Sequence, residues 1–127
     1  MSTTSELRVI PVQWLVHAGR AIKLAPRGLY RPGWNHGLPP RLQERFDIGA
    51  VATAIAFITA GPTCRISVPK TSSYWLKHRC EEWGDRVGYA PYVMNGDLIA
   101  ALSYCNVRLG RPHGANCAVA LRYEEGA

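Results

Sequence analysis

Apolar and polar positions along this chain fall into blocks whose period changes abruptly. "LRVIPVQWLVH" (7–17) is apolar and rich in β-branched residues, which predicts a strand, with Pro11 placing it at an edge or a bulge. From 18 to 45 the period is lost. Pro26, Pro32, Pro39 and Pro40 exclude a long helix, and Gly28, Gly33 and Gly37 mark turns, so an irregular surface segment is expected there. Ile48, Val51, Ile55, Phe57 and Ile58 surround the axis of a helix over 48–59 that Asp47 can cap. A helix apolar in every direction is buried, although a buried strand fits the same run. Gly61-Pro62 ends that element, and "TCRISVP" (63–69) alternates as a short strand stopped by Pro69.

The next block returns to helical spacing. Thr71, Ser72 or Ser73 can cap a helix reaching about Trp83, with Gly84 as its stop. Trp75, Leu76, Cys80 and Trp83 share one arc of it with Arg79; Tyr74, Lys77, His78, Glu81 and Glu82 share the other. Lys77–Glu81 and His78–Glu82 are expected as i,i+4 pairs. After a connector, Asn95 caps a second helix with Leu98, Ile99, Leu102 and Cys105 inward and Ala100, Ala101, Ser103 and Tyr104 outward. Residues 106–123 read as two strands around a Gly/Pro/Asn turn.

The order from 47 is helix, strand, helix, helix, strand, turn, strand. This predicts a small single α+β domain with a winged-helix-like element order, an N-terminal strand and an irregular basic segment. Its expected parts are a flexible tail (1–6), the basic segment (18–45) and a helix/strand core (46–123). The connector between the middle helices is longer than the roughly 3–4-residue turn of a helix-turn-helix.

Composition sharpens this picture in two places. With 127 residues and 47% hydrophobic content, one domain with a modest core is expected. The longest apolar run, "GAVATAIAFITAG" (49–61), falls short of the ~20 residues that cross a bilayer. "MSTTSELR" lacks the marks of a signal peptide, so no membrane partner and a cytoplasmic location are expected. Net charge is +6 and is concentrated: residues 18–45 hold six basic residues against Glu44 alone. Such a stripe is an electrostatic footprint for a polyanion or an acidic partner.

Within the stripe, Arg20, Lys23, Arg27, Tyr30, Arg31, Trp34, His36 and Arg41 interleave cations with aromatics. Guanidinium groups pair with phosphates and aromatic faces stack on bases. The alternative is a loop whose Tyr30 and Trp34 pack on the core while the arginines stay in water. Tyr74, Lys77 and His78 offer a second contact surface, or else a solvated face stitched by ion pairs. Arg108, Arg111 and His113 would contribute from the hairpin. The second helix lacks side chains that read base edges; its small outer face suits another protein or a second subunit, so a homodimer is one expected assembly.

Catalysis and metal binding have little behind them. Ser73 lies four residues before Lys77 where a Ser-x-x-Lys nucleophile needs three, and Cys80 and His78 point to opposite sides of a helix. Cys64, Cys80, Cys105 and Cys117 lack the tight clip of a zinc site, even counting His78 and His113. They are expected to be reduced and mostly buried, with a Cys64–Cys117 disulfide as the alternative if their strands pair. No cofactor is expected.

"SSYWLKHRCEEW" followed by "YVMNGDLIAAL" resembles a pattern of short proteins from phages and integrated mobile elements: Ser-Tyr-x-Leu-Lys-His-x-x-Glu, then Tyr-Val-x-Asn-Gly-x-Leu-Ile-x-Ala. The matching residues are Ser73, Tyr74, Leu76, Lys77, His78 and Glu81, then Tyr92, Val93, Asn95, Gly96, Leu98, Ile99 and Ala101. They fall within residues 73–101, about a quarter of the chain, and leave out the basic stripe. The resemblance implies a mobile-element origin and an accessory role. The expected function is therefore non-catalytic binding of nucleic acid or a nucleoprotein complex. The competing expectation is an inhibitor of a host defence system, anti-CRISPR-like, that binds a protein.

Overall fold

The computed structural model describes residues 9–35, 39, 44–90 and 92–124. It is an α+β domain of four helices and short antiparallel strand pairs. The helices are α1 (Val12–Lys23), α2 (Ile48–Ala60), α3 (Ser73–Val87) and α4 (Asn95–Tyr104). The expected N-terminal strand is instead α1. Pro11 sits at its N-cap, where the absent N–H costs nothing, and Ala18 and Ala21 give it a buried face against α2. The irregular segment is correspondingly shorter. It contains a hairpin of β1 (Leu29–Tyr30) and β2 (Gly33–Trp34), with Leu29 opposite Trp34.

α2 is buried from Ala50 to Ile58, as a helix apolar on all sides requires. Its first turn is capped by Asp47, whose Oδ2 accepts from the Ala50 amide at 2.8 Å. α1, α3 and α4 all pack around it. α4 is the second buried helix: Asn95 through Leu102 are all inaccessible, Ala100 and Ala101 included. Of the outward face expected for α4, Ala100 and Ala101 are core, and Ser103 and Tyr104 keep partial exposure. Small alanines let α2 and α4 approach closely, and most of the face expected to suit another protein or a second subunit is core.

α3 runs past Gly84 to Val87 and ends at Gly88, which takes the left-handed conformation at φ 84°. Gly84 serves proximity, not termination: a Cβ there would strike the Thr53 methyl of α2 and the Ala90 carbonyl. Leu76 and Cys80 face inward as expected, whereas Trp75 stays 44% exposed and meets Tyr123 edge-on.

The remaining strands are β3 (Thr63–Arg65), β4 (Thr71–Ser72), β5 (Ala118–Val119) and β6 (Leu121–Tyr123). β3 pairs with β6 and β4 with β5, so the C-terminal run serves both partners. The chain before it folds back in a hairpin-like loop: Gly110 and Ala120 amides donate to Ala118 and Arg108 carbonyls, and Leu109 bridges Val119. Cys64 lies opposite Arg122 and Cys117 precedes the other ladder, so both thiols are free, as are Cys80 and Cys105.

Gly96 opens α4 beneath the β1–β2 turn. Its amide donates to the Arg31 carbonyl at 2.8 Å, and a Cβ would run into the Tyr30 and Arg31 carbonyl oxygens. Gly96→Ala should lower stability by roughly 1–3 kcal/mol in urea denaturation. Gly19, in α1 with open space where a Cβ would go, is the opposite case. Gly19→Ala should raise stability by roughly 0.5–1 kcal/mol in the same measurement.

Candidate functional site

The expected cationic stripe divides into parts with different fates. Arg20 and Lys23 are exposed on the last turn of α1, where they also complement the helix dipole. Arg27 and Arg45 are exposed, and His36 and Arg41 lie outside the described residues. Trp34 is half-buried against the core; Tyr30 is half-buried too.

Arg31 corrects the expectation of a free cation. Its Nε donates to Asp97 Oδ2 at 2.9 Å and its Nη1 lies 3.4 Å from Glu44 Oε2. Asp97, wholly buried, also accepts from the Met94 amide at 3.0 Å and the Asp47 amide at 3.2 Å. A buried carboxylate needs such partners, and Arg31 is drawn inward to supply one.

Tyr74, Lys77 and His78 stand together on α3, joined by Tyr92. Tyr74 and His78 meet edge-on with centroids 4.8 Å apart. Lys77 Nζ lies 5.8 Å from the ring centre of Tyr74 and 5.8 Å from that of Tyr92, and Arg31 approaches Tyr92 at 5.5 Å. Glu81 holds the group: one oxygen lies 3.5 Å from Lys77 Nζ and 3.3 Å from His78 Nδ1, and the other accepts from the Val93 amide at 3.1 Å. The expected Lys77–Glu81 pair is present. The expected His78–Glu82 pair is not, because Glu82 pairs with Arg79 at 2.7 Å.

Beside this surface is a groove of about 380 Å³ lined by Lys70, Ser72, Arg111, His113, Asn116, Cys117 and Ala118. Ser72 caps α3, accepting from the Trp75 amide, so the helix presents its positive end here. The wall is fixed by Ser73, whose amide donates to the Cys117 carbonyl and whose hydroxyl accepts from the Cys117 amide. Asn95 Nδ2 steadies the loop through the Ala115 carbonyl at 2.7 Å. Lys70, Arg111 and His113 are exposed, and no carboxylate among the described residues pairs with them. Arg108 is exposed one turn of loop away.

Lys70 and Tyr92 were missed as contact residues in the sequence. Tyr92 carried a signal, its place in the Tyr-Val-x-Asn-Gly motif. Lys70 carried none beyond its position before a cap. The motif's other residues are mostly architectural: Ser73, Leu76, Val93, Asn95, Gly96, Leu98, Ile99 and Ala101 are buried. Burial pushes the thiols of Cys80, Cys105 and Cys117 up, which leaves them protonated and poor nucleophiles. No three His, Cys, Asp or Glu side chains among the described residues cluster as metal ligands. No described helix is long and apolar enough to cross a membrane. No family model, curated protein or solved structure matches this chain.

Burial pushes the Asp97 carboxyl up to about 6, against the pull of Arg31 and of the Met94 and Asp47 amides. An unfolded aspartate titrates near ~3.9, so between roughly pH 4 and 6 the folded chain holds a proton the unfolded chain has released. The stabilisation from that proton is present below this window and lost as pH rises through it. The urea midpoint should therefore fall across this range, and Asp97→Asn should remove this component of the slope. Asp97→Ala strands three donors and should cost about 3 kcal/mol or more at neutral pH.

Proposed function

We propose that this protein binds nucleic acid through the surface at the N-terminal end of α3, without catalysis. The observation that carries the reading is the groove of Lys70, Arg111 and His113. Two exposed cations, the His113 imidazole, a helix N-terminus and the absence of any described carboxylate partner form a surface complementary to phosphate. Exposed Arg108 adds to the positive charge of this loop, and α3 carries the exposed Tyr74 ring just past its Ser72 cap. With α4 buried, the second helix of the expected helix-turn-helix order is not presented to a major groove, and the contact is to the backbone and to accessible bases. Arg20, Lys23 and Arg27 add long-range attraction from a separate part of the surface. The resemblance to phage and mobile-element proteins supports an accessory role in such an element.

A second reading has its own observation. Val12 and Val16, one turn apart on α1, are 73% and 49% exposed, and Val9 just before the helix is 75% exposed. This apolar stripe favours a protein partner, as a defence inhibitor would need. A partner retained from host lysate after nuclease treatment, and lost on Val12→Asp with Val16→Asp, would support that reading.

Mobility-shift titrations over single- and double-stranded DNA and RNA at two salt concentrations test the primary reading. Binding should weaken steeply with salt. The double variant Lys70→Ala with Arg111→Ala should lose about tenfold or more in affinity and flatten the log–log salt slope by roughly two phosphate contacts. Unchanged affinity and slope in that variant would refute the groove as the binding site.

A further inference from the structure

The groove explains attraction to phosphate but not the aromatic surface beside it. Tyr74 and Tyr92 are 53% and 57% exposed, although neither is needed to cover the core. Lys77 stands between them, 5.8 Å from each ring centre, so the two ring centres lie no farther apart than twice that distance. Tyr74 follows the groove residue Ser72 by two positions, which keeps their Cα atoms within about 7.6 Å, twice the spacing of neighbours along the chain. The Tyr74 backbone thus lies close to the Ser72 wall of the groove.

Both rings are held in place. Glu81 ties Lys77 and His78 to the backbone at Val93, so Tyr92 is anchored against α3 through its neighbour, and His78 braces Tyr74 edge-on. Braced, exposed rings beside cations suit base stacking. Bases in a duplex already stack on one another and offer their faces to no side chain unless flipped out. α4, the second helix of the expected helix-turn-helix order, is core and cannot enter a duplex groove.

Resting on the proposed nucleic-acid reading, we infer that the ligand is single-stranded, with its backbone in the Lys70–Arg111–His113 groove and its bases stacked on Tyr74 and Tyr92. The inference is tested by fluorescence anisotropy on the full chain with three labelled probes of equal length: an oligothymidylate, a mixed-sequence duplex and an abasic phosphodiester strand. The oligothymidylate should bind at least tenfold more tightly than the other two. Tyr74→Ala and Tyr92→Ala should each weaken oligothymidylate binding about tenfold and leave duplex binding unchanged. Tyr74→Phe and Tyr92→Phe, which keep the ring faces, should bind as the native protein does. Because both rings are exposed, the thermal midpoint reports whether either alanine variant has lost its fold. Equal binding of all three probes, insensitive to the rings but weakened by Lys70→Ala with Arg111→Ala, would overturn the single-strand inference and leave the phosphate groove standing. Failure to bind any probe at low salt would overturn the nucleic-acid reading itself.

Discussion

The buried carboxylate of Asp97 joins three parts of the chain that are distant in sequence. It accepts from Arg31 in the β1–β2 turn, from the Asp47 amide at the entry to α2 and from the Met94 amide at the entry to α4. The two central helices thus begin at one negative charge, and the hairpin is pinned across it. Asp97 in the first turn of α4 also meets the helix's positive end. Gly96 completes the arrangement by admitting the Arg31 backbone where any side chain would exclude it. This is a dense polar node in a mostly apolar core, and it sets the register of the hairpin against the helices. It also withdraws one guanidinium from the surface.

The candidate site follows from that frame. α2 and α4 occupy the centre, so α3 and the loops around its N-terminus are left to face solvent. The loop 111–117 is brought there by reciprocal hydrogen bonds between Ser73 and Cys117 and by Asn95 at Ala115. Arg111 and His113 thereby join Lys70 although more than 40 positions separate them in sequence. On the other side, Glu81 brings Tyr92 to Lys77. One helix end therefore gathers a phosphate-complementary groove and an aromatic surface from three separate segments. A second interhelical lock, His17 Nδ1 at 2.6 Å from the Tyr104 hydroxyl, ties α1 to α4 away from this site.

Much of the helical content was legible locally. α2 could be read from its all-round apolarity and Asp47 cap, and α3 and α4 began within a residue or two of their expected starts, because caps and apolar periods are properties of neighbours in sequence. α1 was not legible: Val, Ile and Trp favour strands in isolation, and only packing of Ala18 and Ala21 against α2 makes the helix the better state. Gly84 read as a stop for the same reason, since its role is to let Thr53 come close. The charge of the 18–45 segment was visible, but the consumption of Arg31 by a residue 66 positions away was not.

Composition, caps and the repeat of apolar positions were thus sufficient for the α+β class, for the buried character of α2 and for the outward set of Tyr74, Lys77 and His78. These depend on interactions that span a few residues. Which cations remain free, which helix is core on every side, and which distant loop completes a groove were decided by tertiary structure alone. Desolvation and hydrogen-bond satisfaction act on residues brought together by folding, and their order along the chain carries no record of that encounter.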